Sequence, residues 1–282
     1  MTISMANKNF SFLKWAGGKN SILPELERVI PQGEVLVEPF VGSGAVFLNF
    51  PFYRYILADI NPDLINTLQI ARDTPEALVA ELKPLLTEKY NTKEAYLELR
   101  KEFNKEPYTK SLHRSAIFVY MNHFGYHGLC RYNSKGGFNV PFGPVIDIKS
   151  KYAVLDRIMS FSDYAQYAKF YCQDFRETFK MVPDGSVVYC DPPYIPLKNN
   201  GFTKYTLGEF SDEDHRALAD EARNCVKTHQ GVKVILSNHD TSEIRDLYKG
   251  AYIRKLQVKR RIAHSKENRV NVGELIAIFS KL

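Results

Sequence analysis

With 282 residues, 44% of them hydrophobic, the chain is longer than most single compact domains and can bury a large core, so one domain with an insertion, or two domains, is expected. The opening MTISMANKNF lacks the apolar stretch of a signal peptide, no run approaches the roughly 18 apolar residues of a membrane span, and Cys130, Cys172, Cys190 and Cys225 show no C-x-x-C spacing; a disulfide framework and a zinc site are therefore not expected. The net charge of +6 is uneven: residues 100–160 hold ten Lys/Arg against four Asp/Glu while the other 221 balance at 28 against 28, and a second basic run, RKLQVKRR, spans 254–261, a pattern that suits a polyanionic partner or simply a solvated basic face.

In chain order, EVLVEPF (34–40) reads as a buried strand running into VGSGAVFLN, a glycine turn that opens a helix. YILADI (55–60) is the next strand and NPDLINTLQIARD the helix after it, a β-α-β-α rhythm that implies a parallel sheet with helical crossovers. From about 62 to 124 the pattern is helical, with PEALVAELKPLL, TKEAYLELRKEFN and SLHRSAIFVYMNHF each showing apolar spacings of three and four. Residues 125–145, rich in Gly, Pro, Asn and aromatics, read as a hairpin or long loop with NSKGG at its tip. Strands return at KFYCQDF, SVVYCD, KVILSN, IRKLQVKR and GELIAIFS, with the helix SDEDHRALADEARNCVKTH between some of them. An α/β sheet is thus interrupted by a helical, basic insertion.

Phe40, Gly42 and Gly44 form F-x-G-x-G at a strand-to-helix turn, where glycines permit tight turning and close approach of a ligand. Asp59 ends the second strand, where a carboxylate accepts the ribose hydroxyls of a nucleoside cofactor or, alternatively, caps the following helix. That cofactor is a dinucleotide or S-adenosylmethionine; Phe47 stands where the dinucleotide fingerprint needs its third glycine. FLKWAGGK (12–19) fails the phosphate-loop template and reads as a loop passing a ligand, with Lys19 able to neutralise a carboxylate and Trp15 to cover a ring or sulfonium.

SVVYCDPPY (186–194) is a buried strand that stops on a carboxylate at the carboxyl edge of the sheet. Pro192 and Pro193 stiffen the backbone beyond it, so the Asp191 carboxylate and the Pro192 carbonyl become two fixed acceptors. Tyr194 adds a flat ring. Two acceptors and a ring suit the two N–H donors of an exocyclic amino group on a nucleobase. Hydrogen bonds that strengthen as the nitrogen gains positive charge stabilise the transition state of direct methyl transfer. A cytosine-carbon methylase would need a thiolate, and no Pro-Cys pair occurs. A base within a duplex must be flipped out to reach such a pocket. Lys14 and Arg131 suit a guanine edge, Leu129 and Pro141 a thymine methyl, and Tyr126 and His127 the gap beside a flipped base; each also has a structural alternative, Leu129 as core, Pro141 as a turn and Arg131 as a surface ion pair.

FLKWAGGK, VEPFVGSGAVFLN, YILADIN, GYHGLCRYN…GGFNVPFG, VVYCDPPY and SNHDT together resemble the DNA adenine methylase (Dam) family over residues 12–279, in the cofactor–recognition–catalytic order of its alpha group. The resemblance implies a Rossmann-like S-adenosylmethionine-dependent methyltransferase sheet, with 1–61 and 160–282 forming a catalytic domain and 62–159 a target-recognition domain that carries a β-hairpin loop. It implies transfer from S-adenosylmethionine to adenine N6 in double-stranded DNA at GATC, with S-adenosylhomocysteine as product and no metal. By matching positions it assigns Trp15, Lys19, Phe40, Gly42, Gly44, Asp59, Asp174, Phe175 and Asp191 to the cofactor. It assigns Asp191, Pro192, Pro193 and Tyr194 to catalysis, and Lys14, Tyr126, His127, Leu129, Arg131 and Pro141 to DNA. His127 stands where family members often have Asn, and His123 where a basic Arg is common. A cytoplasmic, nucleoid-associated monomer is expected. Cytosine N4, RNA or another DNA sequence as substrate is the second reading, and a catalytically dead DNA-binding regulator the third; the Asp at the head of DPPY favours adenine.

Overall fold

The computed structural model describes residues 9–105, 110–143, 147–194, 210–256 and 273–281. In chain order the elements are α1 (Leu23–Glu27), β1 (Val35–Glu38), β2 (Arg54–Asp59), α2 (Pro62–Asp73), α3 (Pro75–Leu82), α4 (Lys93–Phe103), α5 (Leu112–Phe124), α6 (Ala153–Ala165), β3 (Ala168–Cys172), α7 (Phe175–Phe179), β4 (Val187–Cys190), α8 (Asp212–Thr228), β5 (Lys233–His239), α9 (Ser242–Leu247), β6 (Tyr252–Leu256) and β7 (Glu274–Ser280).

The strands form one sheet in the order β3-β2-β1-β4-β5-β7-β6. β1 to β5 are parallel, and β7 runs antiparallel to both β5 and β6. β1 and β4 are buried along their whole length, as a parallel strand covered on both faces must be. The period-two alternation divides the core. Leu36, Val187, Tyr189, Ile235 and Ile276 face a layer with residues of α2, α5 and α6, while Val35, Val37, Val188, Cys190, Val234 and Leu236 face α7, α8 and α9. The first layer continues without a break into Tyr96, Phe103, Phe118, Tyr132 and Phe138, so the helical insertion shares its core with the sheet. The strand order reverses between β1 and β4, and their carboxyl ends open the crevice where ligands bind in such sheets.

Several elements differ from the sequence expectation. The helix after VGSG is a single turn, Phe47–Asn49, because Phe50 precedes Pro51 and the Asn49 amide folds back onto the Ala45 carbonyl at 2.9 Å. α6 was not anticipated, although Val154, Ile158, Phe161 and Ala165 follow a helical spacing and are its buried face. The expected hairpin makes no continuous ladder: Gly125 pairs with Phe142 and Tyr132 with Phe138 as isolated bridges around a turn at Asn133–Gly137. KFYCQDF divides into β3 and the start of α7. Residues 257–261 of the second basic run, and the end of the strand expected there, lie outside the described residues, as do 144–145 at the end of the expected loop. Among the described residues no helix is long and apolar enough to cross a membrane.

Candidate active site

Asp191 follows the last residue of β4, and its carboxylate is held from two sides. Lys19 Nζ lies 2.7 Å from Oδ2 and the Ser237 hydroxyl donates to Oδ1 at 2.9 Å. Since a carboxylate only accepts, the Ser237 proton points to Asp191, and the Tyr189 hydroxyl, 3.1 Å away, donates to Ser237. A carboxylate offers about four lone-pair positions, so acceptor capacity remains on both oxygens. Among the described residues no donor meets the Pro192 carbonyl.

Lys19 also donates to the Gly17 carbonyl at 2.7 Å. Burial works against its charge, but Asp191 and, further off, Tyr189 and Glu274 more than offset this and hold the ammonium above its ordinary value. Its Nζ sits 4.8 Å from the centre of the Tyr194 ring, whose opposite neighbour is His239 at 4.7 Å in a T-shaped contact. The Tyr194 hydroxyl is buried and turned inward towards Ser237. Burial first, then Asp191 and Glu274, keep that phenol well above its usual range.

On the β1 side, Gly42 has φ +49° and packs against Trp15 so closely that a Cβ would stand 2.8 Å from the indole Nε1. Gly44 is also left-handed, at +77°. The Gly42 N–H donates to Asp59 Oδ2 at 3.2 Å, and the Asn61 N–H to Oδ1 at 3.0 Å. Burial raises Asp59 to about 6 although these N–H donors pull the other way. Phe40 stacks on Phe175 at 5.6 Å. Phe175 is itself buried against Phe210, and Asp174 caps α7 through the Arg176 N–H and pairs with the Arg176 guanidinium at 3.1 Å. Trp15, Lys19, the turn glycines, Asp59 and the Asp191–Tyr194 run therefore gather at the carboxyl ends of β1, β2 and β4, while the Asp174 carboxylate is engaged by its own helix.

Glu38 was not among the residues picked from the sequence. It ends β1, is 2% exposed, and its Oε1 has no partner. Burial first drives it well above the usual carboxylate range, with Asp191 adding and the Phe47 N–H opposing. The rule that selected Asp59 and Asp191, an acid at a strand's carboxyl end, applies to it equally. Ser237 and His239 were likewise missed, although SNHD ends β5, beside β4. All four cysteines are free, and burial raises each thiol, Cys130 to about 12 and Cys225 to about 11, which leaves no ready thiolate nucleophile. Among the described residues no three His, Cys, Asp or Glu side chains gather as a metal-binding group.

The insertion presents a second set. Lys14 is pinned to α5 by Asn122, whose side chain accepts from the Lys14 N–H and donates to its carbonyl, both at 2.8 Å. Burial, then Lys151, lower the Lys14 ammonium to about 8. Tyr126 and His127 are exposed and in edge contact at 4.1 Å, and His127 holds a left-handed φ of 54°. Leu129 and Arg131 are half-buried and Pro141 is exposed, whereas Gly128, Cys130 and Tyr132 between them are buried. The Arg131 guanidinium is braced by Asn139, which accepts from Nε at 2.8 Å and from Nη2 at 3.2 Å. Three of its N–H groups, including both on Nη1, remain for an outside acceptor.

Residues 15–262 match the D12 class N6 adenine-specific DNA methyltransferase family. The chain belongs to that family. It is 46% identical over 274 residues to a DNA adenine methylase of Vibrio cholerae serotype O1, covering 97% of each chain, and 43% identical over 273 residues to one of Escherichia coli K12, covering 96% of each. Likeness to solved structures is remote: a precorrin 8W decarboxylase from Methanobacterium thermoautotrophicum aligns at TM-score 0.33 and 10% identity over 89% of this chain and 83% of that one. As a D12 methyltransferase the protein methylates adenine N6 in DNA.

Proposed function

We propose that this D12 enzyme takes its methyl group from S-adenosylmethionine and delivers it to the adenine of GATC in duplex DNA, with the adenine flipped into the crevice between β1 and β4. The observation that carries this reading is the convergence there of a partly accessible Asp191, braced by Lys19 and Ser237, with the glycine turn under Trp15.

S-adenosylmethionine supplies an electrophilic sulfonium methyl when bound. The residues present fit it. Asp59 is placed to accept ribose hydroxyls, Trp15 and Phe40 line the glycine turn, and the remaining N–H of Lys19 suits a carboxylate. Glu38, buried with Oε1 unpartnered, needs a proton or a cation, and an α-ammonium group provides one.

Asp191 and the Pro192 carbonyl accept the two N–H groups of adenine N6. Those hydrogen bonds favour the pyramidal, nucleophilic nitrogen and tighten as it becomes positive. Lys19 and Ser237 fix the carboxylate beforehand, so alignment is not purchased at the moment of reaction. The Tyr194 ring, packed between Lys19 and His239, offers its face to the entering base. We further assign 62–159 to target recognition and 1–61 with 160–282 to catalysis. Lys14 and Arg131 read guanine, Leu129 and Pro141 meet thymine, and Tyr126 with His127 flank the gap left by the flipped base.

Incubation of duplex DNA with labelled S-adenosylmethionine, comparing GATC with single-base variants and mapping the modified base, tests this. Label on adenine N6 confined to GATC is expected. Label at other sequences overturns the assigned target, and no label on DNA overturns the donor or the catalytic roles.

A further inference from the structure

Two ammonium groups stand together where the chain's first loop meets the insertion. Lys14 is held at three points. Asn122 clamps its backbone, its Nζ donates to the His123 carbonyl at 3.2 Å, and its stem runs under Gly128 so closely that a Cβ there would stand 2.5 Å from it. Lys151 lies against this ammonium and, after burial, is the main influence that lowers it. Lys151 is held as well: it belongs to the turn Lys149–Tyr152, and its N–H donates at 2.9 Å to the carbonyl of Ile148, a core residue. Both lysines are half-buried, and among the described residues neither makes an ion pair. The nearest titratable neighbour supplies no negative charge. His123 is 6% exposed, its Nε2 meets the Phe12 carbonyl at 2.7 Å, and burial first, with Lys14, Lys151 and Arg157 adding and the Phe12 carbonyl opposing, lowers it to about 3, so it stays neutral.

Like charges fixed side by side, with no carboxylate between them and no freedom to swing apart, destabilise the free protein. What relieves them is an anion with several acceptor oxygens. The duplex this family acts on carries one at every nucleotide, whereas the neutral edge of a base would leave the repulsion in place. We propose that Lys151 is a DNA-contact residue which, together with Lys14, holds one backbone phosphate of the duplex. This rests on the reading of Lys14 as facing DNA. Lys14 keeps two N–H groups beyond the one given to His123, enough for that phosphate and for a base edge. A phosphate contact fixes register and carries no sequence information, so Lys151 places the duplex while the residues around it read bases.

The test uses the whole protein and duplexes in which single phosphates are replaced in turn by neutral methylphosphonates, and measures Kd for the unaltered protein, Lys151→Met and Lys151→Arg. One replacement is expected to weaken the unaltered protein by about tenfold and Lys151→Met by less than about twofold. Lys151→Arg, which keeps the charge, is expected to recover most of the affinity. Lys151→Met is further expected to reduce the slope of log K against log salt by about 0.9 and to lose affinity equally for GATC and its single-base variants. Without DNA its melting temperature is expected to equal or exceed that of the unaltered protein, because a repulsion has been removed. If every replacement keeps its effect in Lys151→Met, the phosphate site is overturned. A loss confined to one base pair overturns it too and marks Lys151 as a base reader, and a lower melting temperature with an unchanged salt slope overturns it by marking a structural role. If duplexes of all sequences bind alike while the methylphosphonate pattern holds, the assigned target fails and the phosphate site stands. A protein that binds no duplex overturns both.

Discussion

The pair at the centre of the site makes a quantitative prediction. Lys19 and Asp191 side chains are 8% and 20% exposed and 2.7 Å apart, so solvent screens them little. With charge centres about 4 Å apart and an effective dielectric near 20, their attraction is of order 4 kcal/mol, and removal of one partner from a buried pair costs about 3–5 kcal/mol because the other charge stays behind. Lys19→Met, Asp191→Asn and the double variant close a cycle in which the Gly17 contact of Lys19 and the Ser237 contact of Asp191 cancel. Guanidinium unfolding of the four proteins is expected to give a coupling energy of about 2–4 kcal/mol, with the double variant more stable than the sum of the single losses implies. A coupling energy below about 1 kcal/mol, the value of an exposed pair, would refute the view that Lys19 prearranges Asp191.

Asp59, raised to about 6 by burial, accepts best when ionised, so S-adenosylhomocysteine affinity measured by calorimetry should fall as pH drops below that value, by up to about tenfold per unit, and Asp59→Asn should flatten the profile. The same shift makes the Asp59 contribution to stability greatest in acid and lost as pH rises through about 6; a binding profile flat from neutral to acid would exclude the role. His127 sits at φ 54°, so His127→Asn, a residue that visits this region routinely, should leave stability unchanged or slightly raised in thermal unfolding, and a lower melting temperature would contradict that. Arg131→Ala should cost about 1–3 kcal/mol of discrimination at one guanine; an equal loss on all sequences would make it a phosphate contact. Lys135, exposed at the turn of the recognition loop, should behave in that second way, with Lys135→Ala reducing the slope of log K against log salt by about 0.9 and leaving sequence preference intact. An unchanged slope would remove it from the DNA interface.

Much of the site was legible because the chemistry sits at strand ends. Asp59 and Asp191 each follow a β-branched apolar run, and the glycine turn follows another; sheet topology alone then brings them together. Glu38 shows how such a reading stops short. Its place in VEPF obeys the same rule, but its significance lies in an oxygen without a partner, which only the packed core shows. Ser237 and His239 matter because β5 lies beside β4, an adjacency that no local pattern states. The strand GELIAIFS was readable as β7, but its antiparallel direction was not, since an apolar run carries no direction. The helix expected after Gly44 failed through a local feature that was readable, the proline at 51.

The basic excess of residues 100–160 also changes meaning once the side chains are placed. Arg114 is 12% exposed, paired with Asp63 and stacked 3.7 Å above Phe103, which makes it a part of the core. Arg100 donates to the Val140 carbonyl at 2.9 Å, next to the Tyr96 hydroxyl on the same oxygen, and so braces the returning arm of the loop after α5. Arg131 is half engaged by Asn139, and Arg157 lies over Phe10. Arginine suits these duties because its planar fork satisfies several acceptors from one position. Of the lysines, Lys101, Lys105 and Lys135 are exposed and make no ion pair among the described residues, whereas Lys151 is half-buried beside Lys14. The net charge counted from sequence therefore includes cations such as Arg100 and Arg114 that brace the fold, and only the exposed remainder is free to meet the polyanion of the proposed function.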